Sequence, residues 1–363
     1  MRMKKIILIA AVAIAAAACS KTIDTNLATE KAIGFSTWNE TMTKASKDAF
    51  ATDDVIEVFG HKGTGASAEN VFEAQEVTKQ SDGTWKYSPL RFWDTHFNSY
   101  TFYGVYPKDV LAAGTYAAEG KFVTSNITFD GVNEKLLVAQ AKTVAKADYG
   151  EVPLLFKHTN SLIDIKVKKH SDITDAKVVV NSIALSGIKV SGTYEVASYT
   201  DDADKNPVGA TVSTVAGLGW TPGSDVNADA VPYKKTDATT LTYGAGVGVA
   251  NASNLIESLV VMPQAFTATA GPAITINYSV ISGSATDGDL ETITYTPDPF
   301  YIGAFDITDP DPSPKDNEGA KITAWMPGVH YTYYITINSG VITFSATIDG
   351  WDDATNALHY IVK

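Results

Sequence analysis

The sequence predicts an all-β protein built of antiparallel β-sandwiches, and three observations carry this prediction. Several short segments alternate apolar and polar residues, which is the pattern of a strand with one buried face. Turns containing Gly, Asn or Asp separate these segments at short intervals. No long segment beyond the N-terminal 18 residues has convincing helical periodicity, which argues against alternating βα units.

The predicted strands follow one another along most of the chain. The first contains Ile33, Phe35 and Trp38 at its apolar positions, and a polar loop with several lysines follows it. Turns at 81–83 and 338–340 each join two strands into a hairpin. The full set of predicted strands is 33–38, 54–60, 71–78, 84–87, 100–106, 122–129, 135–139, 152–156, 162–167, 177–185, 259–262, 274–281, 331–338, 341–348 and 359–362. The polar stretch 199–254 is predicted to hold long loops or insertions.

The chain length indicates two folded domains. The protein has 363 residues, which exceeds what one hydrophobic core usually supports. A domain boundary is expected near the strand at 152–156. The prediction therefore divides the body into an N-terminal domain at 48–155 and a C-terminal domain at 156–363.

The N-terminus has the pattern of an exported lipoprotein. Residues 1–18 combine three positive charges with an apolar run that is too short to span a bilayer as a helix, so they are predicted to be a signal peptide. Three alanines lead directly into Cys19, which is the single cysteine of the chain. A lone cysteine can also be a small buried hydrophobe, but its position here favours lipidation and a multi-chain anchor in the membrane.

The charge balance excludes one class of partner. The formal net charge is −13 at pH 7, and removing the signal peptide makes the body still more acidic. Because contacts to phosphates require Lys and Arg, nucleic acid is not an expected partner.

No constellation of residues predicts catalysis, a cofactor or a metal ion. The histidines lack metal-ligand spacing, and no G-x-S-x-G elbow is present. Glycines 63 and 65 resemble a phosphate-binding loop only loosely. Acidic stretches at 201–204 and 306–318 lack the ligand order of an EF-hand, and a pair of glycosidase carboxylates cannot be assigned from sequence. The six histidines are His61, His96, His158, His170, His330 and His359.

Four tryptophans could form an exposed platform for sugars, although core packing is the favoured interpretation for them. These are Trp85, Trp93, Trp325 and Trp351.

An ordered set of short strings resembles one protein family. In the N-terminal half the strings are Trp-Lys-Tyr-Ser-Pro at 85–89, Arg-Phe-Trp at 91–93 and Tyr-Thr-Phe-Tyr-Gly-Val-Tyr-Pro at 100–107. Leu-Phe-Lys-His at 155–158 and Val-Val-Met-Pro-Gln at 260–264 follow. The last group is Trp-Met-Pro-Gly at 325–328, Tyr-Thr-Tyr at 331–333, Ile-Thr-Phe at 342–344 and Asp-Gly-Trp at 349–351. In this order they resemble the fimbrillin family of Bacteroidales, the subunits of type V pili.

This resemblance implies a fold and an assembly route. It implies two tandem transthyretin-like sandwiches, export as a lipoprotein to the outer membrane and cell surface, and assembly into a fimbrium for adhesion and colonisation. A trypsin-like surface protease would remove a lipidated propeptide at 19–47, cutting after Lys44 or Lys47, with Lys44 preferred because an acidic residue follows Lys47. The displaced strand would carry Ile33, Phe35 and Trp38.

The vacated groove would accept a donor strand from a neighbouring subunit. The implied donor is the C-terminal stretch, with Leu358, Tyr360 and Val362 as its alternating side chains. Copies of this chain or other fimbrial subunits are therefore the expected partners, through strand addition. A structural pilin, of stalk type, is the first hypothesis. A surface glycan-binding lipoprotein is the alternative, and a hydrolase is a third interpretation that would need converging carboxylates.

Overall fold

The computed structural model describes residues 31–39, 50–110, 123–124, 126–131, 136–170, 172–196, 207–241, 252–283, 290–304, 321–338, 342–350 and 360–362. Within these ranges the chain is almost entirely β, so the predicted fold class is confirmed. One short helix, α1 (Val212–Gly217), begins at a capping box formed by the Thr211 and Thr214 side chains. No helix among the described residues is both long and apolar enough to cross a bilayer.

The first eight strands span the N-terminal half of the chain. They are β1 (Gly34–Asn39), β2 (Val55–Lys62), β3 (Glu69–Lys79), β4 (Trp85–Lys86), β5 (Ser99–Tyr106), β6 (Ile127–Thr128), β7 (Leu137–Ala145) and β8 (Glu151–His158). Seven of them form one sheet in the order β1-β8-β7-β5-β2-β3-β4, in which only β1 and β8 run parallel. The predicted hairpin at 81–83 is confirmed, because β3 and β4 pair antiparallel across it.

The remaining strands belong to the C-terminal half. They are β9 (Ser161–Lys169), β10 (Ala176–Ser186), β11 (Ser191–Tyr194), β12 (Trp220–Pro222), β13 (Lys234–Lys235), β14 (Thr239–Thr240), β15 (Ser253–Val261), β16 (Gln264–Ala265), β17 (Ala273–Ser282), β18 (Glu291–Tyr295), β19 (Phe300–Tyr301), β20 (Ala324–Trp325), β21 (Val329–Ile337), β22 (Ile342–Gly350) and β23 (Tyr360–Val362).

These C-terminal strands form two main sheets around one core. One sheet has the order β15-β9-β21-β22-β23, and the other has the order β13-β10-β17-β18 with β14 and β19 attached. Apolar side chains of both sheets join a single hydrophobic cluster that includes the fully buried Trp325, Tyr331 and Tyr333. The indole of Trp325 donates a hydrogen bond of 2.9 Å to the Tyr333 hydroxyl, which satisfies a polar group that burial would otherwise leave unpaired.

Two details of the topology differ from a purely antiparallel arrangement. The pairs β1–β8 and β9–β21 are parallel, and the alternation pattern of a strand does not indicate which direction its partner runs. In addition, β6 pairs with β11 rather than with its N-terminal neighbours in sequence. A stretch within the range predicted for the N-terminal domain therefore packs on the C-terminal half.

The chain passes from one sheet to the other between β8 and β9. His158 ends β8, and Ser161 begins β9 in a different sheet. Here the Asn160 side chain accepts a 2.7 Å hydrogen bond from the backbone of Leu136, and its carbonyl accepts one from Gly328. The tight passage lies within a few residues of the division predicted at 155, and the division into domains stays a prediction.

Most predicted strands coincide with observed ones to within a few residues, but several short strands were not predicted. These are β11 to β14, β16 and β18 to β20, and most of them have only two to five residues. The 199–254 stretch, predicted as loops, contains α1 and three of these strands. Short strands contain too few residues to produce a visible alternation.

The core of the N-terminal half depends on a glycine at its centre. A Cβ atom placed on Gly104 would lie 2.5 Å from the tip of the Phe156 ring and 3.2 Å from the Ala139 Cβ. We expect Gly104→Ala to lower the free energy of unfolding by about 1–3 kcal/mol, because overpacking forces the ring to move. Urea denaturation measures this, with Gly217→Ala as the matched control.

The control glycine is exposed at the end of α1, and nothing lies within 4 Å of its added Cβ. Gly217→Ala should leave the stability unchanged or slightly higher. Equal effects of the two substitutions would contradict this account of the core.

Candidate functional site

The first strand lies at one end of the seven-stranded sheet, next to β8. Residues 34–39 pair in parallel with residues 151–156 of β8. Just before β1, Ile33 donates a 2.9 Å hydrogen bond to the Arg91 carbonyl, and Trp93 donates one of 3.3 Å to the Lys31 carbonyl. The N-terminal segment thus has two walls along its length: residues 91–93 border its lead-in at 31–33, and β8 borders the strand at 34–39.

Half of β8 depends on β1 for its pairing. The ladder between β7 and β8 covers only residues 156–158 of β8. Among the described residues, 151–155 pair with β1 alone. Without β1, this half of β8 would present unpaired backbone groups to solvent, which is the usual template for strand addition.

The two walls are also tied directly to each other. The Trp93 side chain, 2% exposed, donates its indole N–H to the Gly150 carbonyl at 3.2 Å. Its ring stacks on Tyr149 with 4.2 Å between centroids. Because neither contact involves β1, both can hold one end of the groove together when the strand is absent.

Two apolar side chains anchor the strand to the core. Ile33 is 1% exposed and Phe35 is 4% exposed. The Phe35 ring lies 5.3 Å from Phe72, 5.8 Å from Tyr87 and 5.8 Å from Phe102, centroid to centroid, with tilted or edge-to-face geometry. Aromatic pairs favour these arrangements because ring edges are positive and ring faces negative. The three rings therefore form an aromatic pocket for Phe35.

A glycine allows this pocket to form. A Cβ on Gly60 would lie 2.8 Å from the Phe102 ring and 3.3 Å from the Phe72 ring. The absent side chain lets both rings approach the backbone of β2. Sequence reasoning missed Gly60, Phe72 and Phe102, since only the fold brings them together.

A tyrosine closes the pocket over the strand. The Tyr87 hydroxyl donates a 2.7 Å hydrogen bond to the Ile33 carbonyl and accepts one of 3.2 Å from the Arg91 backbone N–H. Burial raises the pKa of Tyr87, and the Arg91 amide opposes this change. The neutral phenol is the form that can donate to Ile33. Tyr87 was missed as a site residue, although it lies in one of the strings that carry the family resemblance.

Phe50, the first described residue after β1, anchors the chain to the core. Its ring is 7% exposed and lies 5.2–5.3 Å from the rings of Trp85, Tyr106 and Phe156. Its carbonyl accepts a 2.6 Å hydrogen bond from the Lys79 ammonium. A break in the chain between β1 and Phe50 would leave this anchor in place.

The predicted site residues are only partly within the described chain. Ile33 directly precedes β1, and Phe35 and Trp38 lie in it. Cys19, Lys44, Lys47 and Leu358 lie outside the described residues. Tyr360 and Val362 belong to β23, which pairs antiparallel with β22 through residues 346–348. The acidic stretches at 201–204 and 306–318 also lie outside the described residues.

The tryptophans proposed as a sugar platform do not meet on a surface. Trp93 and Trp325 are buried, and Trp85 packs against Phe50. Trp351 lies outside the described residues. Glycan binding through a tryptophan platform therefore finds no support in the described part of the chain.

The fold and the groove define a β-sandwich protein whose first strand fills a cleft between two walls. The sequence model of the fimbrillin-like family matches residues 43–351, which is most of the chain. The chain belongs to the fimbrillin-like family, as the resemblance of the sequence strings indicated. A comparison with curated proteins found no match to this chain.

Several solved structures from Bacteroides species align with this chain. A fimbrial protein from Bacteroides vulgatus aligns with a TM-score of 0.56 and 18% identity, covering 88% of this chain and 99% of that one. Putative cell adhesion proteins from Bacteroides uniformis and Bacteroides ovatus align with TM-scores of 0.46 and 0.43, each at 16% identity. They cover 88% and 89% of this chain and 99% and 98% of theirs. At this level of identity, the first of these structures shows a shared fold.

The aromatic pocket should control how firmly β1 is held. We expect Phe35→Ala to lower the free energy for detaching β1 from the core by about 3 kcal/mol or more, because it removes a buried ring and leaves a cavity. Hydrogen exchange should then accelerate in peptides covering 31–39 and 151–155, while β9 stays protected. Ser36→Ala, on the opposite face of the strand, is the matched control. Unchanged exchange in 151–155 would contradict the dependence of β8 on β1.

The Tyr87 hydroxyl should make the stability difference between the wild type and Tyr87→Phe depend on pH. Tyr87→Phe removes the hydrogen bond to Ile33 and should cost about 1 kcal/mol at pH 7. Because the folded state raises the pKa of Tyr87, its contribution is fully present below the ordinary pKa of about 10 and is lost as pH rises through the folded value.

The stability difference between wild type and Tyr87→Phe should therefore shrink above about pH 10, the ordinary tyrosine pKa. Urea denaturation followed by tryptophan fluorescence from pH 7 upward measures this difference. The other tyrosines titrate in both proteins and cancel from the comparison. A difference that stays constant or grows with pH would contradict the assignment.

Proposed function

We propose that this protein is a structural subunit of a type V fimbria, of the stalk type, that polymerises by donor-strand exchange and serves adhesion and colonisation. The single observation that carries the proposal is the position of β1. It fills a groove with two walls, it comes from the N-terminal end of the described chain, and its removal leaves the antiparallel ladder from β8 to β4 in place.

Family membership and the related structures support the same role. The chain belongs to the fimbrillin-like family, and the Bacteroides vulgatus structure is that of a fimbrial protein. The relatives from Bacteroides uniformis and Bacteroides ovatus are putative cell adhesion proteins. The role of a surface protein that assembles with other fimbrial subunits is consistent with the family and with these structures.

Export and maturation would proceed through the N-terminal segment. A lipid on Cys19 would hold the precursor at the outer membrane after removal of residues 1–18. A trypsin-like protease would cut after Lys44 or Lys47. These lysines lie between β1 and Phe50, so the cut separates the strand from the body but keeps the Phe50 anchor. The lipid and the strand would leave together.

Binding of another strand in the empty groove would be energetically favourable. Loss of Ile33 and Phe35 forfeits about 1.5–3 kcal/mol for each buried side chain. It also exposes the rings of Phe72 and Phe102 and unpairs residues 151–155. The link between Trp93 and Gly150 keeps the walls at a fixed spacing, which lowers the cost of ordering when a donor enters.

The C-terminal strand has the properties of a donor. β23 has three residues and lies at the end of its sheet, so little backbone pairing is lost when it leaves. Leu358, Tyr360 and Val362 alternate and would point into one groove. We propose that Tyr360 of one subunit enters the aromatic pocket that Phe35 vacates in the next.

Trypsin treatment of the purified precursor tests the assembly step. We expect a cut after Lys44 or Lys47 in mass spectra, and ladders of oligomers in gels and electron micrographs. Lys44→Gln combined with Lys47→Gln should block both, whereas Lys86→Gln, which alters an exposed lysine of β4, should change neither. Polymers from the uncut double variant would contradict the proposal.

Deletion of residues 357–363 tests the donor. The deleted protein should remain a folded monomer after trypsin treatment and fail to polymerise. A synthetic peptide of this sequence should bind the trimmed subunit, and a peptide with serine at 358, 360 and 362 should not, since it keeps the backbone but loses the apolar side chains. Fibres of normal length from the deletion variant would contradict the assignment of 357–363 as the donor strand.

A further inference from the structure

A cleft lies at one open end of the C-terminal sandwich, far in sequence from the β1 groove. The segment joining β9 to β10 lines it with Asp172, Ile173 and Asp175, and the strands β17 and β18 line it with Tyr278 and Tyr295. Asn338, directly after β21, completes the lining. The cleft has a volume of about 380 Å³, which is within the range of small-molecule sites.

The apolar wall of the cleft is an extension of the sandwich core beyond its edge. Residues 278, 280 and 282 of β17 share one face, since side chains alternate along a strand. Deeper in the same sheet, Val178 and Val180 of β10 are fully buried in the core. β18 pairs with β17 at the margin of this sheet, and all five of its residues are exposed.

A stacked pair of tyrosines forms the most prominent part of the wall. Tyr278 and Tyr295 lie opposite each other in the ladder, with ring centroids 5.0 Å apart and planes inclined by 13°. Tyr278 is 7% exposed, whereas Tyr295 is 40% exposed. Tyr295 is therefore the ring of the pair that offers more of its surface to a ligand.

The rim of the cleft offers hydrogen-bonding groups of both kinds. Asp175 accepts a 3.0 Å hydrogen bond from the Thr174 hydroxyl, and Asp172 lies 3.2 Å from the His170 ring nitrogen. Asn338 contributes an amide and Ser282 a hydroxyl. The Lys169 ammonium donates to the Ala176 carbonyl at 3.0 Å, one residue after Asp175.

We propose that this cleft binds a neutral saccharide, with a sugar ring packed against the exposed surface of the Tyr295 ring that lines the cleft. Sugars present a face of C–H groups with partial positive charge, and the negative face of an aromatic ring attracts such groups. Their hydroxyls both donate and accept, which matches the carboxylates, amide and hydroxyl of the rim. The site would make the subunit body itself adhesive, independently of strand exchange.

The surroundings favour a neutral ligand over a cationic one. An ammonium group would be attracted by Asp172 and Asp175, but the Lys169 ammonium already lies at the Ala176 carbonyl, one residue after Asp175. This cation reduces the net negative charge at that part of the rim. A polyol needs the hydrogen bonds of the carboxylates and requires no net charge.

Saturation-transfer NMR on the purified protein tests the proposal. The probes are neutral disaccharides, namely maltose, cellobiose, lactose, mannobiose and N-acetyllactosamine, at concentrations up to about 10 mM, because single-site sugar affinities of this size are weak. We expect at least one disaccharide to bind. Tyr295→Ala should weaken that binding about tenfold or more, and Tyr295→Phe should retain most of it, since the ring face remains.

The matched control is Tyr301→Ala. Tyr301 is 38% exposed and lies in β19 of the same sheet, but it does not line the cleft. This variant should bind like wild type. Asp175→Asn should also weaken binding, without loss of fold by circular dichroism.

Three outcomes would overturn the proposal. The first is that none of the disaccharides binds the wild-type protein. The second is that Tyr295→Ala and Tyr301→Ala bind equally well. The third is that a lysine tetrapeptide binds at the cleft and the disaccharides do not, which would indicate a basic partner. Polymerisation by the Tyr295→Ala variant should be normal in every case, so the result is separate from the test of strand exchange.

Discussion

The burial of Ile33 and Phe35 between two separate walls is the interaction on which the N-terminal half depends. One wall is the 91–93 segment, and the other is the half of β8 that has no other ladder partner among the described residues. Phe35 fills a pocket of three aromatic rings, and Tyr87 binds the backbone beside it. A strand held in this way contributes both core side chains and the pairing of its neighbour. Its replacement by an equivalent strand is therefore far more favourable than its simple loss.

Two sets of contacts in the N-terminal half do not involve the first strand. Trp93 ties the walls to each other through Gly150 and Tyr149, and Phe50 anchors the chain on the C-terminal side of β1. Neither the Trp93 contacts with Gly150 and Tyr149 nor the Phe50 contacts involve β1. A groove that keeps its shape when empty loses little entropy on binding a donor, which is the physical basis of pre-organisation. The C-terminal half carries a separate open cleft with a partly exposed tyrosine stack, so assembly and recognition can occupy different parts of one subunit.

Particular residues show how far sequence reasoning could go. Alternation located β9, β21 and β22, because long strands repeat their pattern several times, and a run of aromatic residues located β5. Alternation located Ile33 and Phe35 as strand positions for the same reason. It did not locate the aromatic pocket, since Phe72, Tyr87 and Phe102 come from three different segments of the chain. It also missed β18 and the Tyr278–Tyr295 stack, because a five-residue strand that is exposed on both faces has no apolar side to detect.

The sequence by itself determined the all-β class, the hairpins at 81–83 and 338–340, the family resemblance and the apolar character of the first strand. These are local properties, recorded in residues that are near one another along the chain. Only the tertiary structure decided that β1 runs parallel to β8, that 151–155 depend on it, and that Gly60 makes room for the rings around Phe35. Strand direction, partner and pocket shape arise from contacts between distant segments, and no local pattern of residues encodes them.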